Sequence, residues 1–416
     1  MIPVVPALIF VLAFAARQAV SEPARNAVEA LQNRLDRGAV RFDRTDDHGY
    51  LRAVLKELRV PESSQVLVFS KTSFQRERIA PKTPRALYFN DDVYVGFCQR
   101  GDVVEVSTQD RVHGTAFYAF SQDPEEKPRF LRQGDACLIC HSSSRTQGYP
   151  GHLVRSVFTD FLGMPILSAG TKMVDYTTPL ADRWGGWYVT GTHGKLEHHG
   201  NWIVANKKDP SADDRSRNQN VVDLKPRFTA NAYLTPHSDI VALLTLEHQT
   251  EMQNRLSRAM LITQEALRRQ EQMNRELKEK PDYRWESVTR QIQSAGDDVV
   301  RGLLFSGEAP IADPIAGTSG FTEEFAKRGP FDGKGRSLRQ FDLKTRLFKY
   351  RCSYLIYSRA FADLPREVKE HIWKRLDEVL SGRDQSEAYK HLPNQERREI
   401  REILKATLAN LPESWR

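Results

Sequence analysis

The spacing of apolar residues along this chain changes rhythm twice. The first stretch, "NAVEALQNRLDRG", has helical spacing closed by Gly38. From Val66 the rhythm shortens to two and turns aromatic: "QVLVFSKTSF", "RALYFNDDVYVGF", "DVVEVSTQ" and "TAFYAFS". Alternation with β-branched and aromatic residues predicts strands of an antiparallel sheet, with turns at "NDD" and "RGD". A polar, Pro-containing loop, "SQDPEEKPRFLRQGD", then leads to Cys137. Further on, "RWGGWYVTGTHGKLEHHGNWIVAN" predicts a second hairpin with strands Trp187 to Thr190 and Trp202 to Ala205.

At "LTPHSDIVALL" the rhythm becomes helical for good. Thr235 suits an N-cap, Pro236 the first helical position and Asp239 the first turn. The helical pattern runs to about Lys280, where Pro281 stops it, a length that predicts a broken, arm-like or coiled helix. Its second half, "RRQEQMNRELKEK", is polar almost all round and is expected to be solvated. A weakly patterned linker, "SGEAPIADPIAGTSGF", then leads to three more helical stretches ending near Leu411. The expected class is α+β: a β-rich domain over residues 22–234, a long helix over 235–280 and an α-helical region over 281–416.

The N-terminus changes where the protein is expected to work. An apolar run from Val4 to Ala16 is too short to span a bilayer, and small residues Ala19 and Ser21 follow it. Residues 1–21 therefore read as a secretory signal, and the chain as periplasmic or otherwise exported, with no membrane span after cleavage. The net charge of +7 is spread along the chain without a basic run, which points away from nucleic acid. It suits an acidic protein partner or an anionic membrane surface.

Export sharpens the meaning of four cysteines. Cys98 and Cys352 stand alone and could pair with each other. Cys137 and Cys140 lie three apart, with His141 next, in "GDACLICHSSSRTQGYPGHLVRS". A structural zinc site wants a second close pair, which the chain lacks. A thioredoxin-like dithiol wants a βαβ setting, which the flanks do not offer. Covalent attachment of one c-type haem uses all three residues: Cys137 and Cys140 take the two vinyl groups, and His141 becomes the proximal iron ligand.

The residue across the iron decides the chemistry. The donors near enough in pattern to consider are His152, His193, His198, His199, Met164, Met173, His237, His248 and Met252. His237 and His248 are eleven residues apart, three helical turns, and Met252 follows one turn later on the same stripe. That makes His248 or Met252 the first expectation, against ordinary core packing with a neighbour such as Glu247. His193 or His198 of the second hairpin comes next, against turn histidines bonded to backbone.

Several of these stretches together resemble exported bacterial cytochrome c domain-containing proteins. The similar segments are "KTSFQ…PRALYFNDDVYVG", "GDACLICHSSSRTQGYPGHLVRSVF", "RWGGWYVTGTHG", "LTPHSDIVALLTLEHQT", "GRSLRQFDLKTRLFKYRCSYLIYS" and the C-terminal helices. The resemblance implies a single-haem c-type cytochrome, with the motif falling on Cys137, Cys140 and His141, and it brings no substrate. The β-rich setting of the motif excludes the small all-helical cytochrome c fold. An electron carrier serving a redox partner protein is the leading expectation. The alternatives are a peroxidase- or oxidase-like haem enzyme using His237, His193 or Arg183, or a haem-based sensor or assembly subunit.

Overall fold

The structure is a computed structural model that describes residues 24–207 and 214–415. The expected export segment, residues 1–21, lies outside them. The first helix, α1 (Ala27–Asp36), starts where the Asn26 side chain accepts from Glu29 N at 3.0 Å, and it buries Val28 and Leu31. Gly38, at φ 68°, turns the chain away after it. A second short helix, α2 (Leu51–Glu57), follows.

Six strands come next: β1 (Val66–Val68), β2 (Arg85–Phe89), β3 (Val93–Phe97), β4 (Val103–Asp110), β5 (Gly114–Ser121) and β6 (Phe130–Gln133). The "NDD" turn closes because Asn90 Oδ1 accepts from the amides of Asp92 and Val93. A short helix, α3 (Asp135–His141), then carries the Cys-x-x-Cys-His motif. Two small strands, β7 (Arg155–Val157) and β8 (Thr171–Met173), pair with each other. A last strand, β9 (Trp187–Tyr188), joins the main sheet beside β1, giving the antiparallel order β6-β5-β4-β3-β2-β1-β9.

The period of two separates the two faces of this sheet. Along β4, Val104, Val106, Thr108 and Asp110 are buried on one face, while Glu105, Ser107 and Gln109 point to the other. The first face, with Leu67, Tyr88, Val95, Tyr118 and Phe120, is covered by α1 and α2. The second face carries Val66, Val68, Phe89, Tyr94 and Trp187, and these join the core of the helical half. That half consists of α4 (Ile240–Glu276), α5 (Glu286–Leu303), α6 (Phe321–Lys327), α7 (Arg359–Ala362), α8 (Arg366–Leu380) and α9 (Asn394–Thr407). The α+β class is as expected. One face of the sheet and the helices share a single hydrophobic core.

Four local expectations are corrected. The second hairpin does not form: β9 pairs with β1, and residues 202–205 are not a strand. The Asn201 side chain occupies the backbone of Val189 instead, accepting from its amide and donating to its carbonyl, both at 2.8 Å. The long helix starts at Ile240 with Asp239 as N-cap, not at Thr235. Residues Ser238 to Ile240 are held in an extended course by Thr190, whose amide donates to Ser238 O and whose carbonyl accepts from Ile240 N. The helix is also unbroken: 37 residues, about 55 Å at the usual rise. Its second half is not solvated all round, because Ala266, Gln270 and Asn274 are buried.

Helix α4 is fastened by buried polar contacts. The Arg183 guanidinium meets the Glu247 carboxylate at 2.6 Å, and Trp184 Nε1 donates to the same carboxylate at 2.5 Å. Gln249 donates to Asn90 O and Gln253 to Asp91 O, tying the helix to the β2–β3 turn. Among the described residues no helix is long and apolar enough to cross a membrane. Replacing Glu247 by Ala strands the Arg183 charge in the core, so the expected loss is about 3–5 kcal/mol in a urea unfolding titration. The double replacement Arg183→Met with Glu247→Leu is expected to recover most of that loss.

Candidate functional site: the Cys137–His152 segment

The edge strand β6 delivers the chain to the motif, and sequence pattern alone hid it inside a polar loop. Gln133 of β6 lies opposite Phe117 of β5, so α3 begins over the second face of the sheet. On a helix, positions 137, 140 and 141 fall within an arc of about 100°, which sets both thiols and the imidazole on one flank. Ile139 takes the other flank and is 76% exposed.

A compact turn then brings the chain back under the histidine. Gln147 and Gly148 adopt positive φ, 56° and 81°, and reverse its direction. Gly151 returns with two bonds to His141: its amide donates to His141 O and its carbonyl oxygen accepts from His141 Nδ1, each at 2.8 Å. A ring nitrogen that donates to a carbonyl must carry the proton, so Nε2 keeps its lone pair. Burial pushes the His141 pKa down against the opposing pull of the Gly151 bond, which favours the neutral, ligating form. The Phe117 ring packs 4.6 Å from the imidazole, centroid to centroid.

The thiols are free, as are Cys98 and Cys352. Cys98 is buried beside the β3–β4 turn, whereas Cys352 sits in the helical core near Glu396, so these two are not bonded to each other. Burial and the Glu105 carboxylate push the Cys137 thiol up, opposed by Arg85, with which Glu105 is paired. An attacking redox thiol needs the opposite shift, toward thiolate at neutral pH. Among the described residues no three His, Cys, Asp or Glu side chains are arranged to hold a metal ion. A closed zinc site needs four such donors. A haem iron needs only one or two, because the porphyrin supplies the rest.

The stretch of chain that carries and follows α3 exposes several apolar side chains. Among the described residues, seven of the thirteen exposed large hydrophobic side chains fall between Leu131 and Met173, Phe161 at 69% and Leu167 at 81% among them. The loop around Gly163 is bonded to Lys71 N, and Met173 stands opposite Arg155, whose surroundings include Cys140 and Arg145. Two thiols and one neutral imidazole on the same helical flank fit a covalently bound haem.

The structure does not bring the expected sixth ligands to this segment. His248 Nε2 shares a hydrogen with Ser353 Oγ at 2.7 Å, and its ring stacks on Phe305 at 4.1 Å. Met252 packs its sulfur toward Gly302 of α5. Asn254, two residues on and about 200° around the helix, is the one that faces His152. His193 and His198 lie 4.8 Å apart, ring to ring, in the loop after β9. There His193 Nε2 accepts from Asn220 N, and His198 Nδ1 accepts from Gly200 N, both at 2.9 Å. Arg183 is committed to Glu247. His152 lies next to the motif, with Nε2 bonded to Ser107 at 2.9 Å and Nδ1 buried without a partner. It follows Gly151, whose carbonyl oxygen accepts from His141 Nδ1. Sequence reasoning missed Phe117, the Arg85–Glu105 pair, Gly151 and Asn254, whose only signal is the glycine ten residues after His141.

Comparisons with family models, curated proteins and solved structures give no match.

Two outcomes follow from these environments. In the haem-free chain, alkylation under native conditions should modify exposed Cys140 first and Cys137 more slowly, with Cys98 and Cys352 labelled only after denaturation. Site-resolved mass spectrometry checks the order. Burial pushes His152 and His248 down to about 3, whereas the unfolded chain binds protons near 6.5. Stability present at pH 7 is therefore lost as pH falls from about 6.5 toward 3, at about 1.4 kcal/mol per unit for each histidine. Unfolding titrations at pH 7 and pH 5 should show that decline, and a smaller one for His248→Gln.

Proposed function

We propose that this chain is an exported monohaem c-type cytochrome, with its haem joined to Cys137 and Cys140 and its iron held by His141. The observation that carries the proposal is the pair of bonds from Gly151 to His141, which leaves Nε2 as a free, neutral donor beside two thiols on the same helical flank. The placement of both thiols and the imidazole on one flank of α3 supports it, because covalent attachment uses all three together. Bound there, the haem would supply a one-electron couple. The chain's own residues hold the imidazole neutral, orient it from Gly151 and shield it with Phe117. A carrier role is favoured over a haem enzyme because Arg183, the strongest candidate for stabilising charge at a substrate, is locked to Glu247 in the core. The basic net charge suits docking to an acidic redox partner protein.

Expression with an export signal in a host that attaches c-type haem tests the proposal. Expected are one covalent haem per chain, none after Cys137→Ala with Cys140→Ala, and a changed iron spectrum after His141→Ala. An exported wild-type chain without haem would sink the assignment. Low-spin bands indifferent to added carbon monoxide or cyanide are the result expected of a carrier. A high-spin spectrum that shifts readily would replace the carrier by an enzyme.

A further inference from the structure

We infer that Asn254 of α4 is a positioning residue for the proximal histidine, acting through the single peptide unit between Gly151 and His152; this rests on the haem assignment above. The oxygen of that unit accepts from His141 Nδ1 at 2.8 Å. Its N–H, which belongs to His152, donates to Asn254 Oδ1, also at 2.8 Å. A trans amide points its oxygen and its hydrogen in opposite directions, so His141 and Asn254 stand at the two ends of one polarisable group. Hydrogen bonds in such a chain strengthen one another: an acceptor at the N–H end makes the oxygen a better acceptor. A stronger bond at Nδ1 leaves more electron density on Nε2, the atom that would meet the iron.

Three features hold Asn254 in this role. Its Nδ2 donates to His152 O at 2.9 Å, which settles the orientation of the amide. Residue 151 is a glycine, and a Cβ there would lie 2.6 Å from Asn254 Oδ1, so a larger residue would push the two apart. The neighbouring Gln253 is tied to Tyr94 OH and Asp91 O, and Ser257 to Gln109, so α4 cannot slide along the sheet and release the contact. Asn254 is itself 8% exposed, and water does not readily replace it. The helix that organises the core thus reaches the histidine through two hydrogen bonds and one amide.

The result is a test on electron donation, not on assembly. Removing the acceptor, by Asn254→Ser or Asn254→Leu, weakens donation to the oxidised iron, and the midpoint potential of the haem-loaded chain should rise. Ser107→Ala removes a bond to the His152 ring and leaves the peptide untouched, so it should keep the wild-type potential. In the haem-free chain, the His141 Nδ1–H resonance in proton NMR should move upfield in Asn254→Ser and stay in place in Ser107→Ala. A potential and a resonance that ignore both Asn254 variants would overturn the inference, as would an equal shift in Ser107→Ala, which would mean general loosening. Should Asn254→Leu fail to fold, Asn254→Ser decides. A wild-type chain without haem defeats the cofactor assignment, while the Nδ1–H resonance still judges Asn254.

Discussion

Everything in this fold depends on the register of α4 against the sheet. Its buried flank is not purely apolar: Gln249, Gln253, Asn254 and Ser257 are all inside. Hydrophobic contact alone would let a long helix slip by a turn at little cost, but buried amides left unpaired cost about 1–3 kcal/mol each. Each amide finds its partner at one position only, on Asn90, Asp91, Tyr94 and His152. The Arg183–Glu247 pair adds a fifth point, and Asp239 anchors the first turn while also accepting from Thr318 and Ser319. The polar set specifies the register; the apolar set supplies the driving force.

The motif lies over the second sheet face beside α4. From the contact between Gln109 and Ser257, the face continues through Ser107 and Phe117 to Ala119 and Glu105. The segment from Cys137 to His152 lies over that continuation, with His152 on Ser107 and His141 on Phe117. The same burial that stabilises the sheet thus makes these imidazoles neutral. A neutral imidazole is what the proposed haem would need as its donor, and burial in this fold favours that form.

The sequence made the motif plain and its surroundings obscure. Cys137, Cys140 and His141 are adjacent in the chain, so their arrangement on one helical flank follows from spacing alone. The strands from Val66 to Ser121 were legible for the same reason: their partners follow within one turn, and alternation reports which face is inside. The second hairpin misled because Asn201 presents a side-chain amide where a strand would present backbone. The stripe of His248 and Met252 took the alternative offered for it, packing in the core. Which neighbour it met, Phe305 and Gly302, was not written in its period.

By itself the sequence determined the α+β class, the strands from Val66 to Ser121, and the presence of two thiols and an imidazole at Cys-x-x-Cys-His spacing. These are local properties, fixed by covalent spacing and by the 3.6- and 2-residue periods. Only the tertiary structure decided that β9 closes the sheet against β1, that α4 begins at Ile240, and that His141 is oriented by Gly151 and Gly151 by Asn254. Those outcomes depend on contacts between residues ten to more than a hundred positions apart, where hydrogen-bond satisfaction in the core selects among many pairings that the local pattern permits.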